Sequence, residues 1–281
     1  MILRYIVEEN NIILKDYLKK KNIFANTQKD IKQLNGQYLV NDQIVENWFL
    51  LKQGDLLEIV LPASIQGNNI TSVKGDLKIL FEDSYLLILE KDNNIASIPT
   101  REHYDASLAN HVMSYYKRKG IVSNIHFVGR LDYATSGIIM LAKNPYMMAL
   151  MKNIEITKKY YLETKGIIEK NSGVITGGII KDPTSIIKRT LSKDFINSKT
   201  TYEVIKRKEF TTIVLATLHT GKTHQLRLHF SSIGYPIIGD ELYGDKEIDD
   251  ILHLHSCYLK FIHPVTNKVI EINSKPKWFT D

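Results

Sequence analysis

Five apolar residues, Ile138 to Ala142, follow directly on Thr135-Ser136-Gly137. No other stretch limits the fold as tightly. A short unbroken apolar run is a strand buried on both faces, and the small residues ahead of it form a tight backbone turn. Just upstream, Arg130-Leu131-Asp132 puts a guanidinium and a carboxylate on a loop held against that strand. Catalytic groups are often carried by loops that a rigid scaffold positions. The competing reading is an aspartate that only hydrogen-bonds its own turn.

The remaining pattern is α+β, with a mixed, mainly antiparallel sheet and scattered helices. Residues 1–62 read as a small α/β domain. The spacing of Ile13, Leu14, Tyr17 and Leu18 predicts a helix over 11–21. Thr27 with Asp30 resembles a capping box, and Gly36 supplies a left-handed stop to that second helix. Two strands follow, around Tyr38–Asn41 and Gly54–Pro62. Residues 63–76 are rich in Ser, Asn and Gly and read as a linker, which leaves 77–281 as the larger domain. There, Leu77–Glu90 is strand-like around a Glu82-Asp83-Ser84 turn. Ser107–Lys119 is a helix closed by Gly120, and Asn144-Pro145 opens a helix to about Ile156. Beyond Tyr160 the chain is β-rich, with one more helix over 223–233 before Gly234 and Pro236.

Charge separates the two parts. The chain's net charge is +6, yet residues 1–62 hold eight basic and eight acidic side chains, whereas residues 143–210 hold fourteen and seven. A basic zone beside Asp132 fits a polyanionic partner. No apolar run reaches the roughly 18 residues of a membrane helix, so no membrane association is expected. The N-terminus carries acids where a signal peptide has its apolar core. One cysteine, Cys257, excludes an internal disulfide and favours a reducing, cytoplasmic location.

Several chemistries lack their residues. His219, His224 and His229 are spaced by five, not by the four that stacks zinc ligands on a helix, so no metal is expected. There is no Gly-x-Ser-x-Gly elbow, no Walker loop and no dinucleotide fingerprint. In Thr220-Gly221-Lys222-Thr223-His224-Gln225-Leu226-Arg227, a helix start could hold a phosphate, with Lys222 ahead of it and His224 and Arg227 on one face.

Gly129-Arg130-Leu131-Asp132-Tyr133-Ala134-Thr135-Ser136-Gly137 resembles the catalytic motif of the RluA-type pseudouridine synthases. Lys159-Tyr160-Tyr161-Leu162, Thr220–His229, Gly239–Gly244, Leu254-His255 and His263-Pro264 are similar, in order, to that family's later motifs. The resemblance covers about residues 77 to 275. Residues 1–62 resemble the S4-like RNA-binding module that often precedes this domain. Departures are Gly129 in place of histidine, Lys222 for arginine, Asp92 for proline and Ser198 for alanine. The related RsuA type shares the S4-like start, but the Thr220–Gln225 motif favours RluA.

The resemblance implies isomerisation of uridine to pseudouridine in structured RNA, with ribosomal RNA favoured and transfer RNA as the alternative. It requires no cofactor and no metal, and a monomer is expected. Asp132 becomes the catalytic carboxylate, as nucleophile or as base. Arg227 holds that carboxylate, Tyr161 stacks on the uracil, and Arg130, Lys222 and His224 meet the RNA. A factor that binds RNA on the same fold without chemistry is the competing class.

Overall fold

The computed structural model of the chain describes residues 2–62, 70–244 and 251–279. Its first part runs β1 (Ile2–Ile6), β2 (Ile12–Ile13), α1 (Leu14–Lys20), α2 (Ala25–Gln33), β3 (Gln37–Val40), β4 (Gln43–Val45), β5 (Leu50–Leu51) and β6 (Leu56–Val60). Strands β1, β6, β3 and β4 form an antiparallel sheet in that order, and β2 pairs with β5. The expected first helix is shortened at its start. Asn11 takes a left-handed φ of 56° and Ile12-Ile13 pair with β5 instead. The second helix begins at Ala25, so Thr27 lies inside its first turn and caps nothing. Asn35, at φ 61°, is the left-handed residue after it, not Gly36. Gly36 answers to space: a Cβ there would sit 2.7 Å from the carbonyl oxygen of Val60.

The second part runs β7 (Lys78–Glu82), β8 (Leu86–Lys91), α3 (Leu108–Lys119), β9 (His126–Phe127), β10 (Ser136–Ala142), α4 (Pro145–Met151), β11 (Thr157–Lys165), β12 (Ser172–Lys181), β13 (Arg189–Ser192), β14 (Ser198–Arg207), β15 (Thr211–Leu218), α5 (Gln225–Ser232), β16 (Leu254–Ile262) and β17 (Val269–Asn273). They build an 11-stranded sheet, ordered β13-β12-β14-β15-β11-β16-β10-β8-β7, with β17 on β16 and β9 on β10. Every pairing is antiparallel except β10 with β16, which meet at Ser136–His255 and Gly137–Ser256. Gly137 has φ 105°, and any side chain there would strike the Ser256 backbone. The run expected to be a buried strand is β10, with all seven residues buried.

Local signals explain most of the helices. Ser107 caps α3 by accepting from the Asn110 N–H, and Gly120 closes it at φ 65°. Asn144 caps α4 by accepting from the Met147 N–H at 2.7 Å. That helix stops at Met151 rather than Ile156. Asp83 turns the β7–β8 hairpin by accepting from the N–H groups of Tyr85 and Leu86, both at 2.7 Å.

Two cores lie on opposite faces of the sheet, and β8 feeds both, with Ile88 on one side and Leu87 and Leu89 on the other. The first core runs without a break from Leu14 and Leu57 to Met140 and Met147. Across the same junction the Tyr85 hydroxyl donates to the Ile2 carbonyl at 3.0 Å. Of the expected linker, residues 63–69 lie outside the described residues. Thr71 and Val73 are tied to α3 through both backbone and side chain of Asn110. No described helix is long and apolar enough to cross a membrane.

Candidate active site

Asp132 lies on the loop between β9 and β10, with its side chain 33% exposed. The loop is clamped by its carbonyl oxygens. Ser97 Oγ donates to Leu131 O (2.6 Å), Lys91 Nζ to Tyr133 O (3.1 Å) and Asn93 Nδ2 to Ala134 O (2.6 Å). The donors come from the last residue of β8 and the segment that follows it. Lys91 is 1% exposed and also donates to the carbonyls of Asp92 and Ile95. Burial pulls its pKa down to about 7, against the charges of Asp132 and Asp92. Within the loop, Thr135 N–H donates to Asp132 O at 3.1 Å, so the aspartate does form a turn. Its main chain makes that bond, which leaves the carboxylate facing a cavity.

The cavity is about 930 Å³. Asp132 is its only carboxylate among the described residues, and Arg130, Lys152, Lys158, Lys222 and Arg227 line it as well. Arg130 and Lys222 are exposed at its rim. His224 Nε2 stands 3.9 Å from Asp132 Oδ2. The Tyr243 hydroxyl accepts from the Arg189 N–H at 2.7 Å and lies 3.0 Å from His224 Nδ1. When that hydroxyl donates to Nδ1, the proton of the neutral ring sits on Nε2, towards Asp132. Burial lowers the His224 pKa; the Asp132 charge opposes this, and Arg227 and Arg189 reinforce it.

Arg227 does line the cavity, but its firm partner is not Asp132. Its Nε and Nη2 grip Asp240 at 2.9 and 2.6 Å in a buried fork. Asp240 Oδ1 also accepts from the N–H groups of Leu242 and Tyr243. The expected clasp on Asp132 is therefore replaced by an electrostatic influence across the cavity. The helix start expected at Thr223 is also different. α5 begins at Gln225, after His224 at a left-handed φ of 57°. Gln225 Oε1 takes the Lys222 N–H and the Thr220 hydroxyl, and its Nε2 donates to Lys199 O and Thr200 Oγ1. With every hydrogen-bonding position of its amide used, Gln225 fixes the Thr220–Arg227 segment to β14.

The tyrosine facing the cavity is Tyr160, not the expected Tyr161. Successive residues of a strand point to opposite faces. Tyr160 shares its face with Lys158 and Leu162, and its hydroxyl bonds the Ser256 side chain. Burial pushes its pKa up to about 12. Tyr161 points to the other side, with its ring 4.8 Å from that of Phe279. The alternation of Lys158, Tyr160 and Leu162 was the available signal. Lys91, Asn93 and Ser97 left none, because they act on backbone oxygens. Cys257 is buried, and its thiol pKa is pushed up to about 12, unlike an activated nucleophile. Among the described residues no group of three His, Cys, Asp or Glu side chains is arranged to hold a metal.

The mainly antiparallel sheet thus carries one carboxylate, among the described residues, in a cation-lined cleft. The fold is similar to human RNA pseudouridylate synthase domain containing 1, with a TM-score of 0.61 at 21% identity, covering 76% of this chain and 88% of that one. Residues 85–232 match the RNA pseudouridylate synthase family. Relatives include an uncharacterised RNA pseudouridine synthase, YjbO, of Bacillus subtilis, 34% identical over 91% of this chain and 92% of that protein. The dual-specificity RNA pseudouridine synthase RluA of Vibrio cholerae is 34% identical over 67% and 78%. Ribosomal large subunit pseudouridine synthase D of Buchnera aphidicola is 30% identical over 92% and 83%. The chain belongs to the RNA pseudouridine synthases of the RluA type.

Proposed function

We propose that this enzyme isomerises uridines of ribosomal RNA, with Asp132 as the catalytic carboxylate. The observation that carries the assignment is that Asp132 is, among the described residues, the one acid lining a cavity otherwise rich in cations. A target base must leave its stack to reach such a depth. Bound there, it meets a carboxylate whose backbone is already clamped, so little reorganisation precedes the chemistry. Uracil is detached from the sugar, turned and rejoined through C5, and the C5 proton is lost. Asp132 acts at the sugar, as nucleophile or as base. Tyr160 packs against the uracil face, with its hydroxyl bonded to the Ser256 side chain and its pKa raised by burial. Arg227, held by Asp240, lends positive potential to Asp132 without neutralising it by contact. Arg130 and Lys222 at the rim meet phosphates, and His224 Nε2 steadies the carboxylate.

Ribosomal RNA is favoured by the large-subunit relative that aligns along 92% of the chain. The N-terminal module joins RNA binding on narrower ground, through Lys15, Lys29 and Lys52, which have no acidic partner among the described residues. The test is release of the C5 hydrogen from labelled uridine in unmodified ribosomal RNA. Asp132→Asn is expected to lose activity by on the order of 10²–10⁴-fold. Retained turnover would remove Asp132 from the chemistry. Mapping pseudouridine in cells with and without the gene tests the target, and a site found only in transfer RNA would replace the ribosomal assignment.

A further inference from the structure

The two buried lysines among the described residues are satisfied. Lys91 Nζ donates to three carbonyls, and Lys143 Nζ bonds Glu82 and the Asp83 carbonyl. Lys158, half-buried near the start of β11, has neither an acid nor a hydrogen-bond acceptor among the described residues. It lines the same cavity as Asp132, on the strand face it shares with Tyr160. The same lining includes the apolar residues Val128, Met148, Met151, Ile154 and Ile156. Burial holds the Lys158 pKa below the usual lysine range.

Gly129 explains how the amine fits. Its φ is 93°, and a Cβ at that position would lie 2.9 Å from Lys158 Nζ. The ammonium therefore occupies the room that a side chain at 129 would take, three residues ahead of Asp132 on the same loop. An unpaired, desolvated cation lowers the stability of the free protein. In a cleft that takes RNA, the anion that would offset this is a phosphodiester oxygen.

We propose that Lys158 binds a backbone phosphate of the RNA beside the flipped uridine, in a subsite that Gly129 keeps open. The proposal rests on the reading of the Asp132 cavity as the place where RNA enters. A contact to a uracil carbonyl is the alternative chemistry, and salt dependence separates the two. Only a phosphate contact releases a counterion.

The experiment uses the full chain carrying Asp132→Asn, so that binding is read without turnover, and unmodified large-subunit ribosomal RNA as probe. Adding Lys158→Met is expected to weaken binding roughly three- to tenfold, and to reduce the slope of log affinity against log salt by about one. Lys158→Arg should retain the slope. Lys158→Met should also leave the melting temperature of the free protein unchanged or raised, since it removes an uncompensated charge. Gly129→Asn, which crowds the amine, should weaken binding alone but add little to Lys158→Met. An unchanged salt slope overturns the proposal, as does a lowered melting temperature, which would make Lys158 a structural residue. Turnover retained by Asp132→Asn itself would refute the active-site reading while leaving the slope measurement to judge Lys158.

Discussion

Positive charge is handled in opposite ways in residues 1–62 and around the cavity. In the N-terminal module Arg4 meets Glu58, Lys19 meets Asp16, Lys21 meets Glu8 and Lys32 meets Glu46, at 2.6 to 3.7 Å, and Lys20 pairs with Glu9. Around the cavity, Arg130, Lys152, Lys158 and Lys222 have no acid partner among the described residues, and the one acid lining it there is Asp132. Exposed pairs of the first kind are worth little in stability. Their effect is to make one surface electrically quiet while the other is left with a field for a polyanion. A sum over the sequence shows the excess; only the folded chain shows where it has nowhere else to go.

The largest test of this contrast is to strand a buried acid. Arg227→Ala removes both bonds from the fully buried Asp240 and is expected to cost about 3–5 kcal/mol in denaturant unfolding. Full stability would mean that water or another cation reaches Asp240. Next comes the tyrosine pair. Tyr160→Leu, which removes the ring placed against the uracil, should lower kcat/KM by about 10- to 100-fold, with Tyr161→Leu close to the parent. The reverse ranking would restore Tyr161 to the cavity.

Acid sensitivity should also reside on the cavity side, because residues 1–62 contain no histidine. Burial holds His229 and His255 neutral, with pKa values lowered to about 4. Between about pH 6.5 and 4 the unfolded chain binds protons that the folded one refuses, so stability falls as pH falls through that window. Each contributes at most about 3 kcal/mol. Unfolding measured across this range should show a slope that His255→Asn reduces; a flat profile would break the prediction. The smallest effect is expected for Lys19→Gln, less than about 1 kcal/mol in stability, with no change in RNA affinity by filter binding. A large loss of affinity would show that the paired charges of the module serve RNA after all.

What could be read in advance follows from the range of the interaction. Ser107 and Gly120 at the ends of α3, and Asn144-Pro145 at the start of α4, act on their own neighbours, and their positions were legible. So was β10, whose burial on both faces needs no partner to be named. The expectations that failed each depended on something distant or on a single-residue choice. Asn35 took the left-handed turn beside Gly36. Tyr160 and Tyr161 have the same chemistry and differ only in which face the sheet turns towards the cavity. Arg227 found Asp240, thirteen residues on, because the 239–244 turn folds back over α5.

The clamp on the Asp132 loop has one further consequence. Ser97, Lys91 and Asn93 grip the carbonyl oxygens of positions 131, 133 and 134, a feature every amino acid possesses. Leu131 and Ala134 also pack into a core, but the exposed side chain of Tyr133 is thereby released from holding the loop's shape. Evolution, or an engineer, can exchange Tyr133 to suit a different RNA without moving the aspartate beside it. The rigid part of the site and its adjustable part occupy the same four residues, divided between backbone and side chain.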